Sequence, residues 1–146
     1  MSTLKTYILE KLPYTKPFLF VDEIFKVDDN GIEGAYTFKE DEYFYEGHFK
    51  ELPITPGVIL TECMAQIGLV SLGIYLLKDV KQKDVLVAFS ESHVEFLKTV
   101  KPKETVTVIS EKIYFRFNKL KCKVKMLNEN DEVVCKGELS GMLIQD

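Results

Sequence analysis

Residues Gly57 to Leu77 form a run of 21 positions in which almost every side chain is apolar or small and the only ionisable one is Glu62. A helix of this kind has no polar face to turn toward water, so it must be covered on most sides. The run is long enough to span a bilayer. Glu62 and Gln66 oppose that reading, because an acid at a membrane helix centre costs roughly 2.5 to 3.5 kcal/mol on insertion scales. Strand-like sequence on both sides points instead to the central helix of a water-soluble core, with no membrane insertion. A carboxylate held on such a helix is desolvated, which raises its pKa toward the range where it can donate a proton.

The run is entered through a rigid loop. Gly47, Pro53, Pro56 and Gly57 fall within eleven positions and exclude a helix or central strand before Pro56. The loop carries His48, whose side chain suits proton abstraction near neutrality. Glu62 follows 14 positions later, in the second turn of a helix that begins at Gly57. Backbone N–H groups at the helix start, those of Gly57 or Val58, are suited to polarise a carbonyl. A base, an acid and an oxyanion donor beside an apolar helix suit removal of a proton α to a carbonyl with expulsion of a β-hydroxyl, chemistry that requires no cofactor. The same residues also fit a packing histidine and a glutamate that satisfies a nearby backbone group.

Around this centre the chain reads as strands. Thr3 to Lys11 has Leu4, Tyr7, Ile8 and Leu9 at helical spacing and stops before Pro13, which predicts a short helix covering a sheet edge or an opening. Phe18 to Val27 reads as a first strand, Asp28-Asp29-Asn30-Gly31 as a hairpin turn centred on Asn-Gly, and Ile32 to Phe38 as a second strand. Lys39 to Glu46, with adjacent Tyr43, Phe44 and Tyr45, reads as an ordered loop. After a charged connection, Lys78 to Asp84, the predicted strands are Val85 to Leu97, Thr105 to Phe117, Leu120 to Leu127 and Val133 to Leu143, the last three an antiparallel meander. The expectation is an α+β fold in which a six-stranded antiparallel sheet wraps around one long helix.

Length suits a single domain over residues 1–146. A formal charge of −4 argues against nucleic-acid binding. Cys63, Cys122 and Cys135 are odd in number and lack paired spacing, which argues against a disulfide framework and a zinc site. They read as reduced thiols of a cytoplasmic protein, and the first residues show no signal-peptide pattern. His93, mid-strand among polar residues, reads as a surface side chain, and Cys63 as a small buried hydrophobe. Gln66, four residues after Glu62 on the same helix face, is suited either to orient the carboxylate or to satisfy buried backbone. Lys98, Lys101 and Lys103 cluster in one turn and are candidates for meeting an acidic partner.

Gly47-His48-Phe49, Pro53-Ile54-x-Pro56-Gly57-Val58 and Glu62-x-x-Ala65-Gln66 together resemble the signature of the FabZ-type 3-hydroxyacyl-[acyl-carrier-protein] dehydratases, which have the hotdog fold. Leu12-Pro13-x-x-x-Pro17-Phe18-Leu19-x-Val21-Asp22, and later Phe96 with Val100 and Pro102, are similar as well. The resemblance implies a homodimer or trimer of dimers with sites at the subunit interface. It implies His48 as the base for the α-proton, Glu62 of the other subunit as the acid for the leaving hydroxyl, and the Gly57 amide on the thioester carbonyl. Val58, Gln66 and Phe49 would adjoin the acyl substrate delivered on acyl carrier protein, and no cofactor or metal is implied. The chain departs from the pattern at Lys50, where a proline is usual, at Tyr14 and Thr15, where a basic His-Arg pair is usual, and at Lys103, where a turn glycine is common. A hotdog thioesterase and a non-catalytic acyl-binding or heterodimer subunit are the alternative readings.

Overall fold

The structure is a computed structural model that describes residues 2–48, 51–80 and 85–145. Its elements run α1 (Ser2–Lys11), β1 (Glu23–Asp28), β2 (Gly31–Thr37), the central helix, β3 (Val85–Phe96), β4 (Thr105–Arg116), β5 (Lys119–Leu127) and β6 (Val133–Gln145). The strands form one antiparallel sheet in the order β1-β2-β4-β5-β6-β3. With the central helix across one face, this is the α+β hotdog arrangement expected from the sequence.

Alternation builds the two faces of the sheet. On β5, Leu120, Cys122, Val124 and Met126 are buried under the helix while Lys119, Lys121, Lys123 and Lys125 point the other way. The outer face is laced by ion pairs such as Lys121–Glu138 at 3.3 Å and Lys26–Glu33 at 3.0 Å. β4 keeps this phase through Ser110, and a bulge between Lys112 and Tyr114 then inserts Ile113 as the extra residue. Ile113 is therefore exposed although it continues the apolar alternation, whereas Phe115 packs on the core, and Phe117 is exposed in the turn that follows β4.

The central helix covers Gly57–Leu76 and is mostly buried inside the fold, as a core helix is. It is not uniform. Gly57–Ala65 (α2) is α-helical, Gln66–Val70 forms a π turn, and Ser71–Leu76 (α3) resumes the α-helix. Widening the turn breaks the regular hydrogen-bond ladder, and hydroxyls complete it: Ser71 Oγ donates to the Gln66 carbonyl at 2.7 Å and Ser110 Oγ to the Gly68 carbonyl at 2.8 Å. Gly68 permits the close approach, since a Cβ there would lie 3.0 Å from both Ser110 Cβ and Val124 Cγ1.

Two local expectations are corrected. Residues 18–22 are not strand: β1 begins at Glu23, because the backbone of 18–20 is paired with helix side chains, as described below. The β1–β2 turn is Asp29–Asn30, with Gly31 already in β2 and no positive φ in the turn. Asp28 Oδ1 closes it by accepting from the N–H groups of Asn30 at 2.7 Å and Gly31 at 3.1 Å. The hairpin with two left-handed residues is instead β4–β5, at Phe117 (φ 51) and Asn118 (φ 61). Of the connection Lys78 to Asp84, residues 81–84 lie outside the described residues. α1 packs on β1 and α3, covering the sheet edge as expected.

Candidate active site

Glu62 lies in the second turn of α2 and is half-buried. Burial raises its pKa, and the hydrogen bond from Gln66 to the carboxylate pulls it partly back. Gln66 is fully buried and saturated. Its Nε2 donates to Glu62 Oε2 at 3.0 Å and to the Phe18 carbonyl at 3.0 Å, and its Oε1 accepts from the Phe20 N–H at 2.8 Å. Cys63 Sγ donates to the Phe20 carbonyl at 3.4 Å. One face of the helix thus presents to residues 18–20 the donors and acceptors a neighbouring strand would have supplied. Both sequence readings of Gln66 hold at once: it orients the carboxyl and it satisfies buried backbone. Cys63 is buried, and its thiol pKa is pushed well up by burial, so it is no nucleophile.

The segment so held rests on aromatic packing. Phe20 meets Phe18, Tyr36 and Phe44 edge-to-face at centroid distances of 5.1, 5.6 and 6.1 Å. Tyr36 donates to Glu42 Oε2 at 2.7 Å, and that oxygen also accepts from the Lys39 N–H at 3.0 Å, which ties the loop before His48 to β2. Phe44 and Tyr45 are buried as packing residues, while Tyr43 is partly exposed.

His48 is held differently. Its Nδ1 lies 2.7 Å from the Ile54 carbonyl oxygen. A carbonyl only accepts, so Nδ1 carries the proton and the lone pair of the neutral ring sits on Nε2. The next residue, Thr55, is pinned twice: its N–H donates to the Val100 carbonyl at 2.8 Å, and its Oγ1 shares a hydrogen bond with Tyr45 Oη at 2.6 Å. Phe49, the remaining residue assigned to this loop, lies outside the described residues, as does Lys50.

Helix α2 opens at Pro56 with no side-chain cap, leaving the Gly57 and Val58 amides as first-turn donors without intrahelical acceptors. The Phe96 ring covers Gly57, where an added Cβ would lie 3.2 Å from Cε1 and Cζ. Val58 points outward, 76% exposed. Sequence reasoning missed Tyr14 as a neighbour of the acid. Its phenol pKa is pushed up to about 12, first by burial and then by the charge of Glu62; the departure from the basic pair at this position was the only signal. His93 is exposed on β3, as expected. Lys98 pairs with Glu132 at 3.4 Å and Lys103 with Glu40 at 3.4 Å. Among the described residues no group of His, Cys, Asp and Glu side chains is arranged to hold a metal ion.

This fold and this carboxyl on a buried helix define a hotdog-class protein, and comparison with known proteins narrows the class. The FabA-like domain model matches residues 12–139. The 3-hydroxyacyl-[acyl-carrier-protein] dehydratase FabZ of Caldicellulosiruptor bescii is 36% identical over 133 residues, covering 90% of this chain and 92% of the relative. The FabZ of Clostridioides difficile is 31% identical over 140 residues, covering 94% and 95%. Among solved structures, the dehydratase heterocomplex ApeI:P from Xenorhabdus doucetiae superposes with a TM-score of 0.80 at 15% identity, over 95% of this chain and 91% of that one. A hypothetical thioesterase with coenzyme A from Streptococcus pneumoniae gives 0.60 at 15% identity, over 85% and 86%. At these identities the two structures share the fold alone. The chain belongs to the FabA-like family, among the FabZ-type 3-hydroxyacyl-[acyl-carrier-protein] dehydratases, which are hydro-lyases.

Proposed function

We propose that this enzyme converts a (3R)-hydroxyacyl thioester on acyl carrier protein to the trans-2-enoyl thioester and water, in fatty-acid or a specialised acyl or polyene biosynthesis, as a cytoplasmic homodimer. His48 Nε2 takes the α-proton. The Gly57 N–H, at the positive end of α2, stabilises the charge that develops on the thioester oxygen. Glu62, whose pKa burial raises toward the range of a proton donor, gives a proton to the departing 3-hydroxyl as the C–O bond breaks and the double bond forms. Proton exchange with solvent then resets both groups. Val58, Phe49 and Gln66 adjoin the acyl chain or support the acid.

The observation that carries this reading is the Glu62 carboxyl: the one carboxyl on a buried helix, desolvated and hydrogen-bonded by Gln66. The homodimer is supported by β3, which pairs with β6 along one edge and leaves the other open. Its twelve residues include partly exposed Leu86, Phe89 and Phe96, next to exposed Leu97. The other sheet edge, β1, has six residues and is broken by a bulge between Ile24 and Lys26, so it is a poor pairing edge. With sites built across such an interface, Glu62 of one subunit serves His48 of the other.

The test is a mass-spectrometric assay of purified protein with short- and medium-chain 3-hydroxyacyl-acyl carrier protein. Loss of one water with wild type but not with His48→Ala supports the reaction and its base. Release of free thiol without enoyl product would replace it with thioester hydrolysis. No turnover, with co-purification of a second hotdog chain, would replace it with a binding-subunit role.

A further inference from the structure

The loop that carries His48 has little packing of its own. Between Tyr45 and Thr55, the described residues Glu46, Gly47, Glu51, Leu52 and Pro53 are exposed, and only His48 and Ile54 are half-buried. The two ends of the loop are buried, and they are joined. Tyr45 Oη and Thr55 Oγ1 share a hydrogen bond at 2.6 Å, closing the loop across ten positions of chain. Tyr45 sits in the 3-10 turn Tyr43–Glu46 with its ring against Phe44 at a centroid distance of 4.7 Å, so that end is fixed to the aromatic core. Burial pushes the Tyr45 phenol up to about 12, although the bond to Thr55 pulls it partly back, so the hydroxyl keeps its proton at neutral pH.

The peptide unit between Ile54 and Thr55 is gripped at both of its polar groups. Its carbonyl accepts from His48 Nδ1 at 2.7 Å, and its N–H donates to the carbonyl of the fully buried Val100 at 2.8 Å. In a trans peptide these two groups lie in one plane and point opposite ways, so the bond to Val100 also sets the direction from which the imidazole is held. Hydrogen bonds in series polarise one another, which makes the Ile54 oxygen a better acceptor for the Nδ1 proton. The Thr55 side chain, held by Tyr45, keeps the unit from turning. A misplacement of about 1 Å at a reacting group costs on the order of a hundredfold in rate, so a base on an exposed loop needs such a brace. We infer that Tyr45 and Thr55 are positioning residues for His48: the bond between their hydroxyls holds the Ile54 carbonyl that keeps the proton on Nδ1 and aims Nε2 at the substrate. The role rests on the dehydratase reading, in which Nε2 takes the α-proton. Neither hydroxyl touches the substrate or gives up a proton in the step.

The test has a kinetic arm and a spectroscopic arm. Tyr45→Phe keeps the ring and removes the hydroxyl. Assayed well below its Tm with 3-hydroxyacyl-acyl carrier protein, its kcat should fall to roughly a fifth of wild type while KM stays within about twofold. Thr55→Val should lose as much, and Thr55→Ser, which keeps the hydroxyl, should stay within about twofold of wild type. Tyr45→Phe combined with Thr55→Val should be no worse than either alone, because all three break the same bond. In nitrogen NMR spectra of the neutral imidazole, the His48 ring, assigned by its loss in His48→Ala, should carry its proton on Nδ1 in wild type and show a mixture of tautomers in Tyr45→Phe. A kcat of Tyr45→Phe within about twofold of wild type overturns the role. So do losses that multiply in the double variant, or a His48 tautomer that is the same in both proteins. A wild type making no enoyl product overturns the dehydratase reading together with this role. An active wild type with an unaffected Tyr45→Phe overturns this role alone.

Discussion

The two halves of the site are built on unlike supports. Glu62 stands on the buried central helix, and its orienting partner Gln66 makes three hydrogen bonds, each to a different group, so the acid can move only if residues 18–20 move with it. His48 stands on a half-buried loop, its Nδ1 bonded to the Ile54 carbonyl, and the next residue, Thr55, is anchored to Val100 and Tyr45. A desolvated carboxyl needs a rigid shell because an unpaired polar group there is costly. An imidazole whose tautomer is set by its Nδ1 bond can sit on a loop. The difference teaches that the proposed acid sits on a support that also holds the fold together, whereas the proposed base sits on a loop.

The strongest challenge to that contrast is His48→Ala, expected to lower kcat by roughly 10³-fold with an unchanged Tm. Activity within about tenfold of wild type would remove His48 as the base, and a large drop in Tm would erase the contrast itself. Glu62→Gln should cost roughly 10²-fold or more in kcat and yet raise Tm at pH 7. The sign follows from burial. The folded state holds the Glu62 proton more tightly than the unfolded state, so its contribution to stability is full below the ordinary value of 4.5 and is lost as pH rises through the raised folded-state value. The Tm advantage of the variant should therefore vanish in acid, and a constant offset across pH would show that desolvation is not its source.

Gln66→Leu tests the acid's shell. It leaves the Phe20 N–H and Phe18 carbonyl without partners, and a loss of about 3 kcal/mol in urea unfolding is expected, with kcat reduced alongside. The matching change on the base side, Thr55→Val, removes the bond to Tyr45 and should cost about 1 kcal/mol with a several-fold loss of activity. If the two losses were equal, the supports would not differ. The smallest effect is a gain. Lys103 has a φ of 76 in the turn before β4, so Lys103→Gly should add about 1 kcal/mol at unchanged kcat, because its ion pair to Glu40 is largely exposed.

Much of this was legible because it is local. The apolar run with one acid predicts a buried helix whatever covers it, and the four buried apolar positions of β5 alternate in the sequence as they do in the sheet. The loop prolines and glycines mark where His48 sits, and Pro102 marks the turn before β4, whereas a glycine at position 103 is implied by the family resemblance alone. Other features follow contacts that no local pattern encodes. Residues 18–22 have strand composition, but Phe18 and Phe20 find their partners in Gln66, 46 residues from Phe20, and Cys63, so 18–20 became a strap across the helix. The bulge at Ile113 reverses the meaning of an apolar alternation that continues past it.

By itself the amino-acid sequence determined the parts: which helix is central, which strands form hairpins, and which histidine and glutamate are the candidates for chemistry. Side-chain period and turn chemistry act over a few residues and need no knowledge of the rest. Tertiary structure alone decided that β3 lies beyond β6 at the far edge of the sheet, leaving its other side open. It alone opened the π turn at Gln66 and gave residues 18–20 a helix face to pair with. Each of these is settled by where a buried donor or acceptor finds its partner, and in this chain that partner lies far away in sequence.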